Sequence, residues 1–437
     1  MHKRILLVNP WIYDFKAYDL WMKPLGLLYV IALLRKNEFE VDYIDCLDRY
    51  HPKMLERIKK MSRVDEFGRG KFYSEEINKP PAYQDIPRSY KRYGMPIKVF
   101  REIIDTIEKP DRIFVTSIMT YWYPGVFEAI KILKEYYPEV AIVLGGIYAT
   151  LCFEHAKRYS GADIVIPGKA ENNLQNIIPD FMPILFDNLP YPAFDLYSKL
   201  DYACILTSQG CPFSCKYCAV PKLYPKFTSR DALSVITEIE HYENLGIRNI
   251  AFYDDALLAN PHFISMLDEI IIREIKLHFH TPNGLHPRFL TQETADKMFK
   301  AGFKTIYLSL ESTDTEVRRS IDSKVTTQEF IAAVKYLENS GFAKSQIHAY
   351  LMIGMPEIPA KTIKESIDFV NNLGVAPHLT EFSPIPDTDG FKRAGFNQDT
   401  DPLLHNNTIF PVLNNIERDD MLSIKTYLAK LRLAPHH

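Results

Sequence analysis

Apolar and polar positions fall into alternating blocks along the first 182 residues. "RILLVN", "VDYIDC", "RIFVTSIMT", "VAIVLGG" and "ADIVIPG" read as strands, and "LGLLYVIALLRKN", "GVFEAIKILKEYYPE" and "NLQNIIPDF" carry helical spacing. Strand and helix signals in alternation predict a parallel sheet with helices on its faces. Between Cys46 and Arg112 the pattern breaks into a polar insert, "GRGKFYSEEINKPPAYQDIPRSYKRYG", longer than an ordinary connection and readable as a lid or as a decorated loop.

The proline-punctuated stretch "MPILFDNLPYPAFDLYSKL" separates this region from a second set of units. Six strands follow, "YACILTS", "IRNIAFY", "KLHFHT", "KTIYLSLE", "QIHAYLMIG" and "HLTEFSP", and each but the last precedes a helical pattern such as "DALSVITEIEHYENLG". Six consecutive βα units predict a partial barrel. The expected organisation is an α/β chain in three parts. Residues 1–189 form a Rossmann-like, flavodoxin-type domain with its insert at about 47–111, residues 190–385 a partial (β/α)6 barrel, and residues 386–437 a polar loop ending in the helix "RDDMLSIKTYLAKLRL".

Composition narrows the function classes. An apolar fraction of 46% with 13% aromatics suits buried cores, and a net charge of −3 gives no bulk attraction to phosphate backbones, so nucleic acid is not an expected partner. No apolar run reaches the roughly 18 residues that would span a bilayer, and "MHKRILLVNP" reads as a strand without a signal-peptide core, so a cytoplasmic location is expected.

Three of the six cysteines, Cys211, Cys215 and Cys218, cluster in "GCPFSCKYCAV" with C-x3-C-x2-C spacing. Clustered thiols beside three lone ones fit a reduced compartment and a metal site better than a disulfide framework. Structural zinc takes four ligands, commonly as two pairs, whereas three thiolates on a cubane iron–sulfur cluster leave one iron open to a substrate or cofactor.

The C-x3-C-x-aromatic-C stretch after the first barrel strand, with Tyr217 at the aromatic position, resembles the signature of radical S-adenosylmethionine (SAM) enzymes. The resemblance runs on through "AFYDDALL" (251–258), "YLSLES" (307–312) and "YLMIGMPE" (350–357), in that order. It implies a [4Fe–4S] cluster on Cys211, Cys215 and Cys218 whose open iron chelates SAM, cleaved by one electron to methionine and a 5′-deoxyadenosyl radical. By the same resemblance Tyr217 lies against the adenine, Ser309 and Glu311 meet the ribose or the amino-acid part, Asp254 or Asp255 receives the ammonium, and Ile353 and Gly354 form the adenine-side turn. A flavodoxin or ferredoxin is the implied electron donor.

The first domain, through "KPLGLLYVIALLRK", "VTSIMT" and "VLGGIYAT", resembles the cobalamin-binding-type domain that precedes some of these barrels. Ser117, Gly145 and Gly146 then fall at strand ends where the cofactor would pack. The D-x-H-x-x-G pattern that supplies a cobalt-ligating histidine is replaced by "PWIYDFKAYDLW", so histidine-on binding at that place is excluded while cobalamin itself stays possible. Bound cobalamin implies methylation of an unactivated carbon in a small-molecule or lipid-like substrate. Without it, the barrel would run an oxidation, a rearrangement or a carbon–carbon bond formation, and a non-catalytic iron–sulfur or zinc protein is the third reading.

Alternation in "QIHAYLMIG" puts His348, Tyr350 and Met352 on one strand face, and these with Glu381 on the sixth strand are the candidate catalytic residues of the barrel interior; packing of His348 is the bland alternative. "SPIPDTDGF" brings Asp387 and Asp389 towards the expected mouth, as substrate contacts or as a solvated acidic loop.

Overall fold

The computed structural model describes residues 3–58, 63–178, 181, 184–321, 325–355, 358–411 and 418–433. The chain divides into two compact units, Met1–Ala203 with Gln398–His405, and Cys204–Asn397 with Asn406–His437. The described part of the proline-punctuated stretch, residues 184–200, and with it the expected boundary after residue 189, lies within the first unit, which runs on to Ala203.

The strands of the first unit are β1 (Arg4–Asn9), β2 (Ile12–Asp14), β3 (Glu40–Asp45), β4 (Ser74–Glu76), β5 (Lys91–Tyr93), β6 (Arg112–Val115), β7 (Ala141–Leu144) and β8 (Ile164–Val165). Five form a parallel sheet in the order β3-β1-β6-β7-β8. Its central strands bury residues on both faces, which is why "RILLVN" is a continuous apolar run rather than an alternating one. Helix Leu25–Lys36 lies beneath with an unbroken buried run from Leu27 to Leu34, and Arg35 and Lys36 in its last turn complement the helix dipole.

The insert is a packed element. Its β4 and β5 join β2 as an antiparallel sheet in the order β2-β5-β4, over a small core of Ile12, Leu47, Phe72 and Tyr93. Tyr83 and Tyr90 are buried against Phe15, and the Tyr83 hydroxyl donates to the Leu403 carbonyl at 2.6 Å.

The second unit carries β9 (Ala203–Ile205), β10 (Ser208–Gln209), β11 (Thr228–Ser229), β12 (Asn249–Phe252), β13 (His278–Leu285), β14 (Phe303–Glu311), β15 (Ile347–Ile353) and β16 (Ala376–Glu381). Six of them stand in sequence order, β9-β12-β13-β14-β15-β16, with the pairs from β12 to β16 parallel. Helices follow the strands and are started where the sequence supplies caps. Asp231 accepts the Leu233 and Ser234 amides, and Thr326 and Glu329 form a capping box.

The outer face of β15 is sealed, with Ile347, Ala349, Leu351 and Ile353 at most 1% exposed, while His348 and Tyr350 on the other face are only half-buried. That second face lines the barrel interior. The terminal helix Arg418–Leu433 packs on helix Ala360–Asn372, where Lys364 donates to Ser423 at 3.2 Å and Tyr427 to Asp368.

Candidate active site

The cysteine loop leaves β10 through Gly210, whose φ of +84° and closeness to the Lys226 carbonyl (2.9 Å from any added Cβ) leave no place for another residue. Cys211, Cys215 and Cys218 are all half-buried and none forms a disulfide. The Cys218 amide donates to the Cys215 carbonyl at 3.0 Å, and the Val220 amide to the Cys218 sulfur at 3.5 Å. The loop is fastened on three sides. Phe213 stacks on His286 at 4.7 Å, Lys216 N–H reaches the Ile321 carbonyl at 3.0 Å, and the Gly390 N–H reaches the Lys216 carbonyl at 2.9 Å. Three accessible thiols on one short loop, one already accepting an amide, are a donor set that fits an iron–sulfur cluster. Among the described residues no three metal-ligating side chains are gathered into a finished cage, so the fit rests on the number of the thiols, their spacing and their accessibility.

The adjacent aspartates do different work. Asp254 is buried and accepts the Thr207 amide (3.1 Å), the Thr207 hydroxyl (2.6 Å) and the Ser208 hydroxyl (2.6 Å), which ties the end of β12 to the start of the cysteine loop. Burial pushes its carboxyl up, against the pull of the Ser208 and Thr207 donors. Asp255 makes no such bonds; burial first, and the Asp254 charge second, push it up to about 7. Burial of this kind favours the neutral carboxyl, and a neighbouring cation would lower its value again.

A raised folded-state value in an acid favours folding below the unfolded value of about 4, and that advantage is lost as pH rises through 7. Asp255→Asn is therefore expected to be more stable than the native chain by about 1–2 kcal/mol at pH 8, with the difference closing towards pH 4. Urea unfolding at the two pH values checks this.

On β14, Ser309 and Glu311 are buried on the interior face, and the Tyr217 hydroxyl donates to Glu311 Oε1 at 3.2 Å. The structure thus joins the aromatic position of the cysteine loop to the fourth-strand carboxylate. Glu311 has φ of +64°, and the β14–β15 register shifts between Ser309 and Glu311, so the carboxylate is re-aimed by a bulge. Gly354, after Ile353, has φ of +92°, and an added Cβ would stand 2.3 Å from Pro411, so the turn is covered by the chain that follows the barrel. The remainder of "YLMIGMPE", residues 356 and 357, lies outside the described residues.

His348 and Tyr350 face the interior together. Glu381 does not: it pairs in register with Ile353 of the outer face, and its carboxylate accepts Lys425 of the terminal helix at 2.6 Å. The expectation that it points inward is corrected by that register. The interior residue of β16 is His378, whose Nε2 lies 3.1 Å from His348 Nδ1. Alternation in "HLTEFSP" sets His378 and Thr380 on one face and was the signal available for it. Asp387 and Asp389 are exposed, and Asp389 begins the short helix Asp389–Arg393 capped by Thr388.

In the first unit, Ser117, Gly145 and Gly146 come together beyond the ends of β6 and β7. Ser117 Oγ donates to the Gly145 carbonyl at 2.7 Å, and the Ile147 amide to the Ser117 carbonyl at 2.7 Å. Gly146 has φ of +96°, and an added Cβ would lie 2.2 Å from the Ser117 carbonyl oxygen, whereas one on Gly145 would meet nothing nearer than 3.9 Å. Gly146→Ala is expected to cost at least about 2 kcal/mol, from left-handed backbone alone and then from the clash, and Gly145→Ala well under that. Chemical denaturation of the two variants separates them.

Comparison with known proteins places this geometry. The Radical SAM superfamily profile matches residues 205–370. An uncharacterized methyltransferase of Pyrococcus horikoshii is 24% identical over 332 residues, covering 66% of this chain and 71% of the relative. Among solved structures, the radical SAM methyltransferase TsrM of Kitasatospora setae, with cobalamin and a [4Fe–4S] cluster bound, superposes with a TM-score of 0.63 at 16% identity over 90% of this chain and 75% of TsrM. The cobalamin-dependent SAM radical enzyme OxsB gives 0.60 at 14% identity over 94% of this chain, which spans only 56% of OxsB. The profile falls on the strands and the loop that carry the cysteine triplet, and a [4Fe–4S] cluster and SAM are the cofactors that such a domain implies. A radical SAM domain thus spans residues 205–370, and the fold of the chain is that of the solved structures of TsrM and OxsB.

Proposed function

We propose that this enzyme is a cobalamin-dependent methyltransferase that modifies an unactivated carbon of a small-molecule or lipid-like substrate. The observation that carries the reading is the pairing, in one chain, of a cysteine loop on a six-strand barrel with a separate parallel sheet whose β6 and β7 end in the tight Ser117–Gly146 turn. The relatives named as methyltransferases support it.

When bound, the cluster supplies the electron that cleaves SAM, and cobalamin a carrier for the methyl group. Cys211, Cys215 and Cys218 would hold the cluster. Asp255, with its carboxyl raised by burial, would take the SAM ammonium, while Asp254 keeps its donors and holds the loop in place. Tyr217, braced by Glu311, would lie along the adenine, with Ser309 on the ribose and the Ile353–Gly354 backbone on the adenine edge. The buried setting of Ser309 and Glu311 would help to keep water from the reacting centre. At the strand ends of the first unit, Ser117, Gly145 and Gly146 would receive the cobalamin nucleotide tail. A flavodoxin or ferredoxin would deliver the electron.

The test is anaerobic loading of the purified chain with hydroxocobalamin followed by gel filtration. About one cobalamin retained per chain is the expected result. A chain that sheds all its cobalamin yet cleaves SAM is a cobalamin-free radical enzyme, and the methyltransferase reading falls.

A further inference from the structure

We infer that the barrel interior takes a planar, conjugated ring as its substrate, stacked against Tyr307, His348 and Tyr350; this rests on the reading of the barrel as a small-molecule site. The three rings come from adjacent strands. Tyr307 of β14 stacks on His348 at 4.6 Å and 21° and on Tyr350 at 4.9 Å and 18°, so one flat column rises along the wall. His378 of β16 stands edge-on to His348, 4.9 Å away at 80°.

The column is braced. The Tyr350 hydroxyl donates to the Pro282 carbonyl at 2.6 Å, and the hydrogen bond between His348 and His378 fixes both imidazole planes. Below it, His280 is fully buried between Thr305 Oγ1 (2.9 Å) and Asn249 Oδ1 (3.2 Å), which closes the floor. Above it, Tyr350 pairs in register with Ser309, so the top of the column reaches the level of the SAM-side residues.

His348, Tyr350 and His378 are each only half-buried, although the opposite face of β15 is sealed. Tyr307 is buried with both partners stacked on it, so the half-buried rings of His348 and Tyr350 carry the flat surface that the column turns to the interior. Such a surface favours a flat partner, because offset stacking adds about 0.5–1.5 kcal/mol per pair beyond area burial. The six barrel strands carry a single cation, Lys304, and it shares the outer face with Ile306 and Leu308. An anionic head group therefore finds no strand-borne cation in this interior, and the ring itself is what the wall recognises.

The test measures binding of 2-naphthol and of its saturated counterpart, decahydro-2-naphthol, to the anaerobically reconstituted full-length chain by saturation-transfer NMR and equilibrium dialysis. The flat probe is expected to bind at least tenfold more tightly than the saturated one. Tyr307→Phe is expected to keep that preference and Tyr307→Leu to lose it, with folding of both followed by circular dichroism. Should Tyr307→Leu fail to fold, Tyr350→Leu at the upper end of the column and the wild-type preference decide the matter. Equal binding of the two probes, or an undiminished preference in the folded leucine variant, overturns the inference. SAM cleavage by a chain without ring preference would sink this inference alone; ring preference in a chain that never cleaves SAM would keep the ring site and sink the methyltransferase reading.

Discussion

Cys215→Ala is expected to reduce 5′-deoxyadenosine formation below detection while leaving the barrel folded. Three thiols are the whole cysteine complement of the loop, and removing one leaves two ligands for a cluster that needs three to hold it with one iron open. The half-buried setting of Cys215 makes the change cheap for folding, since no core contact is emptied. Iron and sulfide content should fall with the absorbance near 400 nm, and far-ultraviolet circular dichroism should stay as in the native chain. Cys204→Ala is the contrasting variant. That cysteine is fully buried on β9, so its loss should lower stability but leave the cluster intact. Native levels of deoxyadenosine from folded Cys215→Ala would remove the triplet from the mechanism.

Asp254→Ala should produce the larger structural defect. The carboxylate receives the Thr207 amide, the Thr207 hydroxyl and the Ser208 hydroxyl, and Thr207 and Ser208 are themselves fully buried. Deleting the acceptor strands these donors away from water, at about 1–3 kcal/mol for each group left unsatisfied. Asn260 offers the Thr207 hydroxyl only a donor, at 2.9 Å, so it cannot replace the lost acceptor. A loss of about 3 kcal/mol or more is expected in urea unfolding. Asp254→Asn keeps one acceptor oxygen and should recover part of it. Because Thr207 and Ser208 lead directly into the cysteine loop, the alanine variant should also load less iron. A small stability change in Asp254→Ala would show that the buried bonds are replaced by water.

The contrast between these two residues and their neighbours shows where the sequence was readable. The six barrel strands stand where their apolar runs were found, in chain order, because each βα unit packs mostly on its predecessor and its signal is local. The cysteine triplet was visible in its spacing, and its expected cluster role came from the resemblance to radical SAM enzymes. The strands of the insert were not legible, since β4 and β5 are three residues each and are held by a small apolar core, Ile12, Leu47, Phe72 and Tyr93, drawn from β2, β5 and the loops around them. Nothing local marks Gln398–His405 as part of the first unit. It is bound there by the Leu403 carbonyl on Tyr83, Asp401 on Tyr123 and His405 on Thr120, all distant in sequence. In the pair Asp254–Asp255 the two letters are the same, and only the fold gives one the buried donors and leaves the other raised to about 7. Glu381 illustrates the opposite case. Strand alternation already separated it from His378, but its partner Lys425 comes from a helix 44 residues on, and inter-strand register was needed to assign the face.

The most direct test is the anaerobic quantification of 5′-deoxyadenosine from the iron- and sulfide-reconstituted wild-type chain given SAM and dithionite. The account predicts deoxyadenosine that appears only with reductant and reconstituted cluster and that is absent from Cys215→Ala. A fully reconstituted chain that leaves SAM intact under strong reductant would contradict it and return the cysteine triplet to a structural or sensing role.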